Sequence, residues 1–480
     1  MSAATITGSD WGPVAIEAAD FEEHMAGLPT DQDPDVGEAH GGQLRMAYRL
    51  ARGYADRLLH VKGLGWHVWD GRRWAEDDLG GADDAVRSIL RDALAESLGD
   101  LELRKDVRRC ESANGISGVL EIASTMPTFA ATIAQLDSDP YLLNCANGTF
   151  NLQTGALLPH NPADRITKVT NASYRPGQCG QLWEGFLDRV LPDEDVRGFL
   201  QRYVGMALCG KVLEHRLAIL TGTGRNGKGV TYGALAHALG DYAGSAEPDL
   251  LLHRDNAHPT GQMDLRGMRW VVVSESDKGR NLAEATVKRL TGGDKIKARR
   301  MRQDFVEFDP SHTVALITNH LPKVSGDDPA LWARLRVVPF GVVVPEEEQD
   351  PRLGEKLESE ADAILTWAVD GWAAYRDGGG LAEPEAVREA TSAYKADSDA
   401  VGRFLADCTI KNPHMQVAVG DLFDAWSAWA ADDGAEPMGK KAFGEAMNKR
   451  GYSVARTSGG RHVRKGLGLA AGEGQEWGQK

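Results

Sequence analysis

The sequence predicts an α/β protein whose centre is a parallel β-sheet. Two observations carry this prediction. Four short apolar runs alternate with helical or polar segments in the middle of the chain, a pattern typical of a parallel sheet. The first run leads into a glycine-rich stretch followed at once by a helical pattern, as at a ligand-binding strand end. In order, the runs are HRLAILTG, MRWVVVSES, HTVALITNH and RLRVVPF.

Length and composition limit the class of protein. The 480 residues are 42% hydrophobic and 26% charged, so we expect two to four globular domains. No apolar run approaches the roughly 18 residues needed to span a bilayer, and the start, MSAATITGSDWGP, has no features of a signal peptide. The 5 cysteines form no C-x-x-C pair. We therefore expect a cytoplasmic protein with no membrane partner.

Charge is unevenly distributed along the chain. The net charge is −16, and residues 1–44 hold nine acidic and no basic side chains. Residues 295–302, KIKARRMR, contain five basic side chains, and residues 437–466 contain eight against one Glu. An acidic chain with two basic islands can bind nucleic acid locally.

Composition and pattern divide the chain into five parts. We expect an acidic flexible arm at 1–42, with a solubilising or a regulatory role, and an N-terminal α/β module at 43–180. The sheet-containing core is expected at 181–345 and a helical extension at 346–400. Residues 401–480 are predicted to form two helices followed by a basic β-hairpin, which resembles a winged helix.

The predicted N-terminal module alternates helical and strand patterns. It starts with the helical pattern LRMAYRLARGYADRLL. WHVWDGRRWAED then reads as two strands joined by an Asp-Gly turn, and DPYLLNCANGTFNLQTGALLPH as two short strands with Asn-Gly and Thr-Gly turns.

The stretch LTGTGRNGKGV, residues 220–230, has the spacing G-x-x-x-x-G-K of a phosphate-binding loop. Its backbone N–H groups and the following helix N-terminus would surround phosphate oxygens of ATP, and Lys228 would reach the β- and γ-phosphates. The next position, usually Ser or Thr, is Gly229. We expect nucleotide contacts from Gly222, Thr223, Gly224, Arg225, Asn226, Gly227, Lys228, Gly229 and Val230.

Polar residues near the later apolar runs have the chemistry that ATP hydrolysis needs. Glu275 ends the second run and is the candidate to position Mg²⁺ and the attacking water. Asn319 ends the third run and could hydrogen-bond that water. Arg334 follows fifteen residues later and could act as an arginine finger on a neighbouring subunit. Arg336, two residues on, is the alternative finger.

The basic run at 295–302 lies in a predicted hairpin between Glu275 and Asn319. A solvated charged face is one interpretation. Beside an ATPase, a basic hairpin that faces a central channel and grips a phosphate backbone is the better explanation. The predicted DNA-binding residues are Lys297, Arg299, Arg300 and Arg302.

Five segments in order resemble the phage and plasmid primase–helicases of helicase superfamily 3, the poxvirus-type group. They are GTGRNGKG, VVVSES, VKRLTGGDKIKARRM, LITNHLP and LWARLRVVPF, and the resemblance covers roughly residues 45–465. It implies an AAA+-like P-loop ATPase core that uses ATP and Mg²⁺, forms a ring, usually a hexamer, and moves 3′ to 5′ on single-stranded DNA.

The same resemblance implies roles for individual residues. Lys228 matches the phosphate-loop lysine, Glu275 the strand-end acid, Asn319 the sensor asparagine and Arg334 the finger arginine. Residues 295–302 match the segment that contacts DNA in the pore, and the last eighty residues match a winged-helix extension. It also implies a phage or mobile element acting in the cytoplasm of a bacterial host.

Two departures from the family pattern concern the metal. Gly229 replaces the Mg²⁺-contacting Ser or Thr, and Ser274 stands where many members have a first acid. We expect Mg²⁺ to be held by phosphate oxygens, water and Glu275, with Thr231 as a weak candidate for the missing hydroxyl. Residues 45–180 lack a paired-acid strand motif followed by a catalytic His, so primer synthesis by this chain is not expected. Whether a separate primase binds there stays open.

Three functions are compatible with these observations. The first is a replicative DNA helicase. The second is an origin-binding initiator or helicase-loading ATPase that reads duplex DNA with the winged helix. The third is a structural ring that has lost hydrolysis, which only Gly229 and Ser274 favour.

Overall fold

The structure, a computed structural model, describes residue 32 and residues 34–252, 259–275, 279–299, 305–324 and 328–470. The chain divides into two compact units. The first comprises the residues up to Tyr174 with Leu239–Tyr242 and Lys295–Phe308, and the second comprises the remaining segments. The five-part division proposed from the sequence stays a prediction.

Helices of the first unit pack around a shared apolar core. Apolar residues at helical spacing, among them Met46, Leu50, Val86 and Val107, are buried there. The helices are α1 (Pro34–Glu38), α2 (Gly42–Tyr54), α3 (Gly81–Glu96), α4 (Leu101–Cys110) and α5 (Ala113–Ala123).

The ordered chain begins earlier than the sequence predicted. Glu38, at the end of α1, forms ion pairs with Arg45, Arg49 and Arg52 of α2. The prediction of a flexible arm over 1–42 is therefore wrong for its last residues, because an acidic side chain there meets a basic helix face. Residues 1–31 and 33 lie outside the described part of the chain.

Short strands complete the first unit. They are β1 (Leu58–Val61), β2 (Gly65–Trp69), β3 (Trp74–Glu76), β4 (Ala130–Ala131), β5 (Leu142–Cys145), β6 (Gly148–Asn151) and β7 (Leu157–Leu158). The predicted hairpins β2–β3 and β5–β6 are confirmed. The prediction that the first helical pattern extends to Leu59 is wrong at its end, since residues 58–61 form β1 against β2. A short apolar run fits either structure, and pairing with the next strand decides it.

The second unit contains a five-stranded sheet in which every described pairing is parallel. In chain order its first strands are β8 (Leu217–Thr221), β9 (Ala243–Ala246) and β10 (Trp270–Glu275). The last two strands of this sheet are β13 (Thr313–Thr318) and β14 (Leu335–Pro339). The antiparallel hairpin between β10 and β13 in the sequence, β11 (Ile296–Ala298) and β12 (Val306–Phe308), is a separate sheet and belongs to the first unit. The four predicted sheet strands are confirmed. β9 was missed because Ala-Gly-Ser-Ala has no β-branched or aromatic residue.

The order of strands in this sheet is β14-β8-β13-β10-β9. From β8 the chain passes to the far strand β9 and returns through β10 to β13, then crosses β8 to reach β14. The strand order therefore reverses direction beside β8. In a parallel sheet such a switch point opens a crevice at the carboxyl ends of the strands, where ligands bind.

The helices of the second unit up to residue 398 are α6 (Gln181–Val190), α7 (Glu194–Ala207), α8 (Lys228–Leu239), α9 (Glu284–Leu290), α10 (Pro329–Trp332), α11 (Leu353–Glu358), α12 (Ala361–Asp377) and α13 (Glu385–Ser398). Tyr203 of α7 fixes this helix against the sheet: its buried hydroxyl donates to the carbonyl of Val314 and accepts from the N–H of Ala218. In the described residues, we find no helix long and apolar enough to cross a membrane.

The C-terminal part contains α14 (Ala400–Cys408), β15 (Thr409–Ala418), α15 (Val419–Asp433), α16 (Lys440–Lys449), β16 (Val454–Arg456) and β17 (His462–Leu469). The strands form an antiparallel sheet in the order β15-β17-β16 around a core with Phe404, Trp426 and Phe443. The predicted two helices and hairpin are confirmed. β15 was missed because Asn412 and Pro413 interrupt its pattern, and its register shifts there.

Candidate nucleotide-binding site

Residues 222–227, the glycine-rich loop, connect the end of β8 to the start of α8. Gly224, Arg225 and Gly227 have positive φ angles of 98°, 50° and 83°. Residues in this conformation let successive N–H groups point into one concavity, which is suited to an anion. Arg225 is not glycine, so its left-handed backbone is strained, and the N–H of Val344 holds it by donating to its carbonyl over 2.9 Å.

The three glycines of the motif G-x-x-x-x-G-K-G, Gly222, Gly227 and Gly229, differ in how much space they leave for a side chain. A Cβ on Gly222 would lie 2.3 Å from the carbonyl oxygen of Phe340, and a Cβ on Gly227 would lie 2.7 Å from Val190 Cγ1. A Cβ on Gly229 would meet nothing within 4 Å. The first two positions therefore require glycine, whereas Gly229 leaves room for the Ser or Thr that usually stands there.

Lys228 begins α8 and lies at the centre of the site, only 5% exposed. Its Nζ donates to the carbonyl of Gly222 at 2.9 Å, to Asn226 Oδ1 at 2.9 Å and to Asn319 Oδ1 at 3.2 Å. Burial lowers the pKa of Lys228, since desolvation disfavours its charged form. A phosphate group entering the loop would compensate this cost, so the ammonium is suited to bind an anion.

Asn226 links the glycine-rich loop to the far side of β8. Its side chain is 2% exposed; Nδ2 donates to the carbonyl of Phe340 at 3.0 Å, while Oδ1 accepts from Lys228. The sequence predicted Asn226 only as a phosphate contact. The bond to Phe340 joins residues that are 114 positions apart, so local sequence carried no signal for it.

The strand ends bring two other predicted residues, Glu275 and Asn319, to the same end of the sheet as the loop. In the parallel register Glu275 of β10 pairs with Thr318 of β13, and Thr318 pairs with Thr221 of β8. Asn319 directly follows Thr318, and the turn after it is fixed because Thr318 Oγ1 donates to the carbonyl of His320 and accepts its N–H. Neighbouring strands are about 4.8 Å apart, so the backbone of Glu275 lies roughly 10 Å from the loop.

Whether the site could bind Mg²⁺ depends on the oxygen ligands that Glu275 and the residues at positions 229 and 231 can offer. The side chain of Glu275 lies outside the described part of the chain, although its backbone ends β10 beside the loop. The Thr231 hydroxyl is buried and donates to the carbonyl of Gly227 at 3.0 Å. That bond points the hydroxyl at the helix backbone, which weakens Thr231 as a replacement for the hydroxyl missing at Gly229.

Arg334 lies at the opposite edge of the sheet. It precedes β14, and its carbonyl accepts the N–H of Leu217, the first residue of β8. The six residue steps from Arg334 to Phe340 span roughly 20 Å at about 3.3 Å each. Its Nη1 donates to the carbonyl of Ala330 and its Nε to Thr291 Oγ1. Arg334 therefore cannot reach a phosphate in the loop of its own chain.

Arg336, the alternative finger, is committed to a structural contact. Its Nε forms an ion pair of 2.7 Å with Glu383, and its side chain is only 12% exposed. Arg334, in contrast, lines an open depression with Arg216, His215 and Glu214. The geometry favours Arg334 over Arg336 as a residue available to a second molecule.

Comparisons with known proteins place two regions of the chain in family models and relate it to viral proteins. Residues 47–192 match the family model described as "D5 N terminal like", and residues 220–334 match a family of unknown function, DUF5906. "Putative helicase L207/L206" of Acanthamoeba polyphaga mimivirus is 25% identical over 68% of this chain and 37% of its own length. "Putative helicase 022R" of Frog virus 3 (isolate Goorha) is 26% identical over 82% and 49%. "Putative primase C962R" of African swine fever virus is 23% identical over 65% and 35%.

Through these matches the chain is similar to putative helicases and a putative primase of DNA viruses, and it contains a region like the D5 N terminal family. It spans less than half the length of these curated relatives. A solved structure of the NrS-1 C-terminal region is similar, with a TM-score of 0.45 and 12% identity over 86% of this chain and 96% of that one.

The second predicted site is the β11–β12 hairpin. Lys297 and Arg299 are exposed on it, as the basic run predicted. Arg300 and Arg302, the other two predicted DNA contacts, lie outside the described residues.

Proposed function

We propose that this chain is an ATP-driven DNA helicase of superfamily 3 with an AAA+-related P-loop core. It would assemble into a ring, most simply a hexamer, and move 3′ to 5′ along single-stranded DNA in replication. The observation that carries the proposal is the buried Lys228 at the switch point of a parallel sheet, in contact with Asn319 of the neighbouring strand end. The relatives named helicase and primase support the same class.

In this proposal, the phosphates of ATP occupy the glycine-rich loop and replace acceptors that Lys228 uses in their absence. Lys228 then turns from Asn319 Oδ1 to the β- and γ-phosphates, and the Asn319 amide is free to orient the attacking water. Mg²⁺, held by phosphate oxygens, water and Glu275, would neutralise charge that develops on the phosphates.

The position of Arg334 supports the proposed ring, if Arg334 acts as an arginine finger. Because it lies roughly 20 Å from its own loop, a guanidinium acting on the γ-phosphate has to come from the neighbouring subunit. Hydrolysis would then require contact between subunits, and each cycle could shift one subunit relative to the next. Lys297 and Arg299 on the hairpin would contact the DNA backbone.

A second candidate function is an origin-binding initiator or loading ATPase. The basic stretch 437–466 and the C-terminal helices with their three-stranded sheet favour it, because this arrangement fits a winged helix that reads duplex DNA. Deletion of residues 401–480 tests it. Loss of specific duplex binding would support this function, and unchanged binding would exclude it.

The experiment that tests the leading proposal is Lys228→Ala in the full chain. Without the buried ammonium we expect DNA-stimulated ATP hydrolysis and strand displacement to fall by at least about 10²-fold. Lys395→Ala is the matched control, since Lys395 is exposed on α13 of the same unit. Activity of Lys228→Ala equal to that of the control would refute the proposal, and a Mg²⁺ titration showing no hydrolysis by the wild type would favour a structural ring.

The source and partners of the chain stay predictions. The relatives above belong to viruses named after an amoeba, a frog and swine, so they give no support to a bacterial host. We do not propose primer synthesis for this chain, and a separate primase acting with it is a further prediction.

A further inference from the structure

The β11–β12 hairpin has two different faces. Ile296 pairs with Phe308 and Ala298 with Val306, and all four residues are buried. Lys297, Arg299 and Glu307 alternate with them and are exposed. The alternation follows from the pleat of the strands, in which successive side chains point to opposite faces.

Phe305 stands on the exposed, charged face of this hairpin. It directly precedes buried Val306, so the pleat turns it outward, and 51% of its surface is exposed. Continuing the register past Ala298 and Val306 places it opposite Arg299. At this outward position the aromatic side chain leaves about half of its surface uncovered.

Two cations lie over the Phe305 ring. The Arg299 guanidinium is 4.8 Å and the Lys297 ammonium 5.5 Å from the ring centroid. Such contacts orient the ring and keep both cations beside it. The ring nevertheless keeps half of its surface exposed, so a flat apolar group can still pack against it.

We propose that Phe305 is a base-stacking residue for single-stranded DNA, with Arg299 and Lys297 on the adjoining phosphates. The proposal rests on the helicase function above and adds a contact that the basic residues alone do not provide. An aromatic ring stacks on any base, because every base has a π-face, whereas cations bind the backbone. Together they grip the strand without reading its sequence, as a translocating protein requires.

The two cations should contribute unequally. Glu307 lies directly opposite Lys297 in the register and offsets part of its charge. Among the described residues, the continued register places Phe305 rather than an acid opposite Arg299. We therefore expect Arg299 to carry more of the phosphate contact than Lys297.

The test compares two oligonucleotides of equal length, oligo(dT) and the same backbone with abasic sites. Binding is measured by fluorescence anisotropy on the full chain with a non-hydrolysable ATP analogue. The variants are Phe305→Ala, Phe305→Leu, which keeps apolar bulk without a π-face, and Phe305→Tyr, which keeps the ring. Phe305 is exposed, so these variants should fold, and their melting temperatures check this.

We expect the wild type to prefer oligo(dT), and Phe305→Ala and Phe305→Leu to lose about 5- to 100-fold in affinity for it. Their affinity for the abasic strand should not change, and Phe305→Tyr should resemble the wild type. Arg299→Ala should lower affinity for both strands and reduce the slope of log affinity against log salt concentration by about one. Phe305→Ala should leave that slope unchanged.

Two results would overturn the inference: equal affinity of Phe305→Leu and wild type for oligo(dT), or no preference of the wild type for bases over the abasic strand. If DNA-stimulated hydrolysis persists in that case, only the role of Phe305 fails. If the wild type binds neither strand and hydrolyses no ATP, the proposed function fails with it.

Discussion

The two ends of the strands in the five-stranded sheet, which we call the carboxyl edge and the opposite edge, differ in what one chain supplies. One chain buries Lys228 and Asn226 at the carboxyl edge and forms only an open depression at the opposite edge. At the carboxyl edge, Lys228 has three hydrogen-bond acceptors and Asn226 bridges the loop to Phe340, all largely buried. At the opposite edge, Arg334 borders an open depression. One edge already has the shape and charge for its proposed ligand, and the other presents a cation toward solvent.

This difference suggests how the chain divides its proposed chemistry. Nucleotide binding needs a rigid pocket, which a single chain can build from adjacent strand ends. The finger, in contrast, is proposed to act in the neighbouring subunit, so it has to stay accessible until the ring forms. The two edges should therefore respond differently to mutation: changes at the loop should act on each chain separately, and changes at Arg334 should act across subunits.

The largest effect that tests the comparison is expected from Arg334→Ala. Removing a trans-acting guanidinium should reduce kcat for ATP by about 10³-fold or more and leave nucleotide affinity nearly unchanged. Mixing Arg334→Ala with Lys228→Ala chains should restore part of the activity, because some interfaces then join an intact loop to an intact finger. Steady-state hydrolysis against mixing ratio measures this.

Arg336→Ala is the control for that experiment. Loss of the ion pair with Glu383 should lower the stability of the protein rather than kcat alone. A mixture of Arg336→Ala and Lys228→Ala chains should hydrolyse no more ATP than its Arg336→Ala chains hydrolyse alone. If mixed Arg334→Ala and Lys228→Ala chains stay as inactive as either alone, the two edges do not cooperate across subunits.

A smaller effect distinguishes two glycines of the carboxyl edge. Gly227→Ala places a Cβ 2.7 Å from Val190 Cγ1 at a residue with φ of 83°, so we expect a loss of roughly 1–3 kcal/mol in the free energy of unfolding and weaker nucleotide binding. Gly229→Ala makes the same chemical change in open space and should leave both unchanged. Thermal unfolding and nucleotide titration measure the pair. Equal behaviour of the two variants would show that the loop is less rigid than described.

The smallest effect is expected from Gly229→Ser. The position has room for a side chain, and a hydroxyl there would add a hard oxygen ligand for Mg²⁺. The Mg²⁺ concentration for half-maximal hydrolysis should fall on the order of 3- to 10-fold, with Gly229→Ala as the control that adds bulk without oxygen. An identical Mg²⁺ dependence of both variants would mean that the metal does not approach this position.

Much of the core was accessible from sequence because its signals are local. The runs at β8, β10, β13 and β14 are apolar and β-branched, and the glycine spacing before Lys228 marks the loop. The missed strands have no such signal: β9 is built from small residues, β1 continues an apolar helical pattern, and β15 contains a proline. Each is specified by its partner strand rather than by its own residues.

The sequence by itself determined which residue types form the candidate nucleotide-binding loop, because a strand, six loop residues and a helix N-terminus are contiguous in the chain. Only the tertiary structure decided the order β14-β8-β13-β10-β9, since pairing is a choice among strands far apart in sequence. That order places Asn319 within 3.2 Å of Lys228 and puts Arg334 at the far edge. Contacts across about a hundred residues arise from packing the whole sheet, so no short stretch of sequence encodes them.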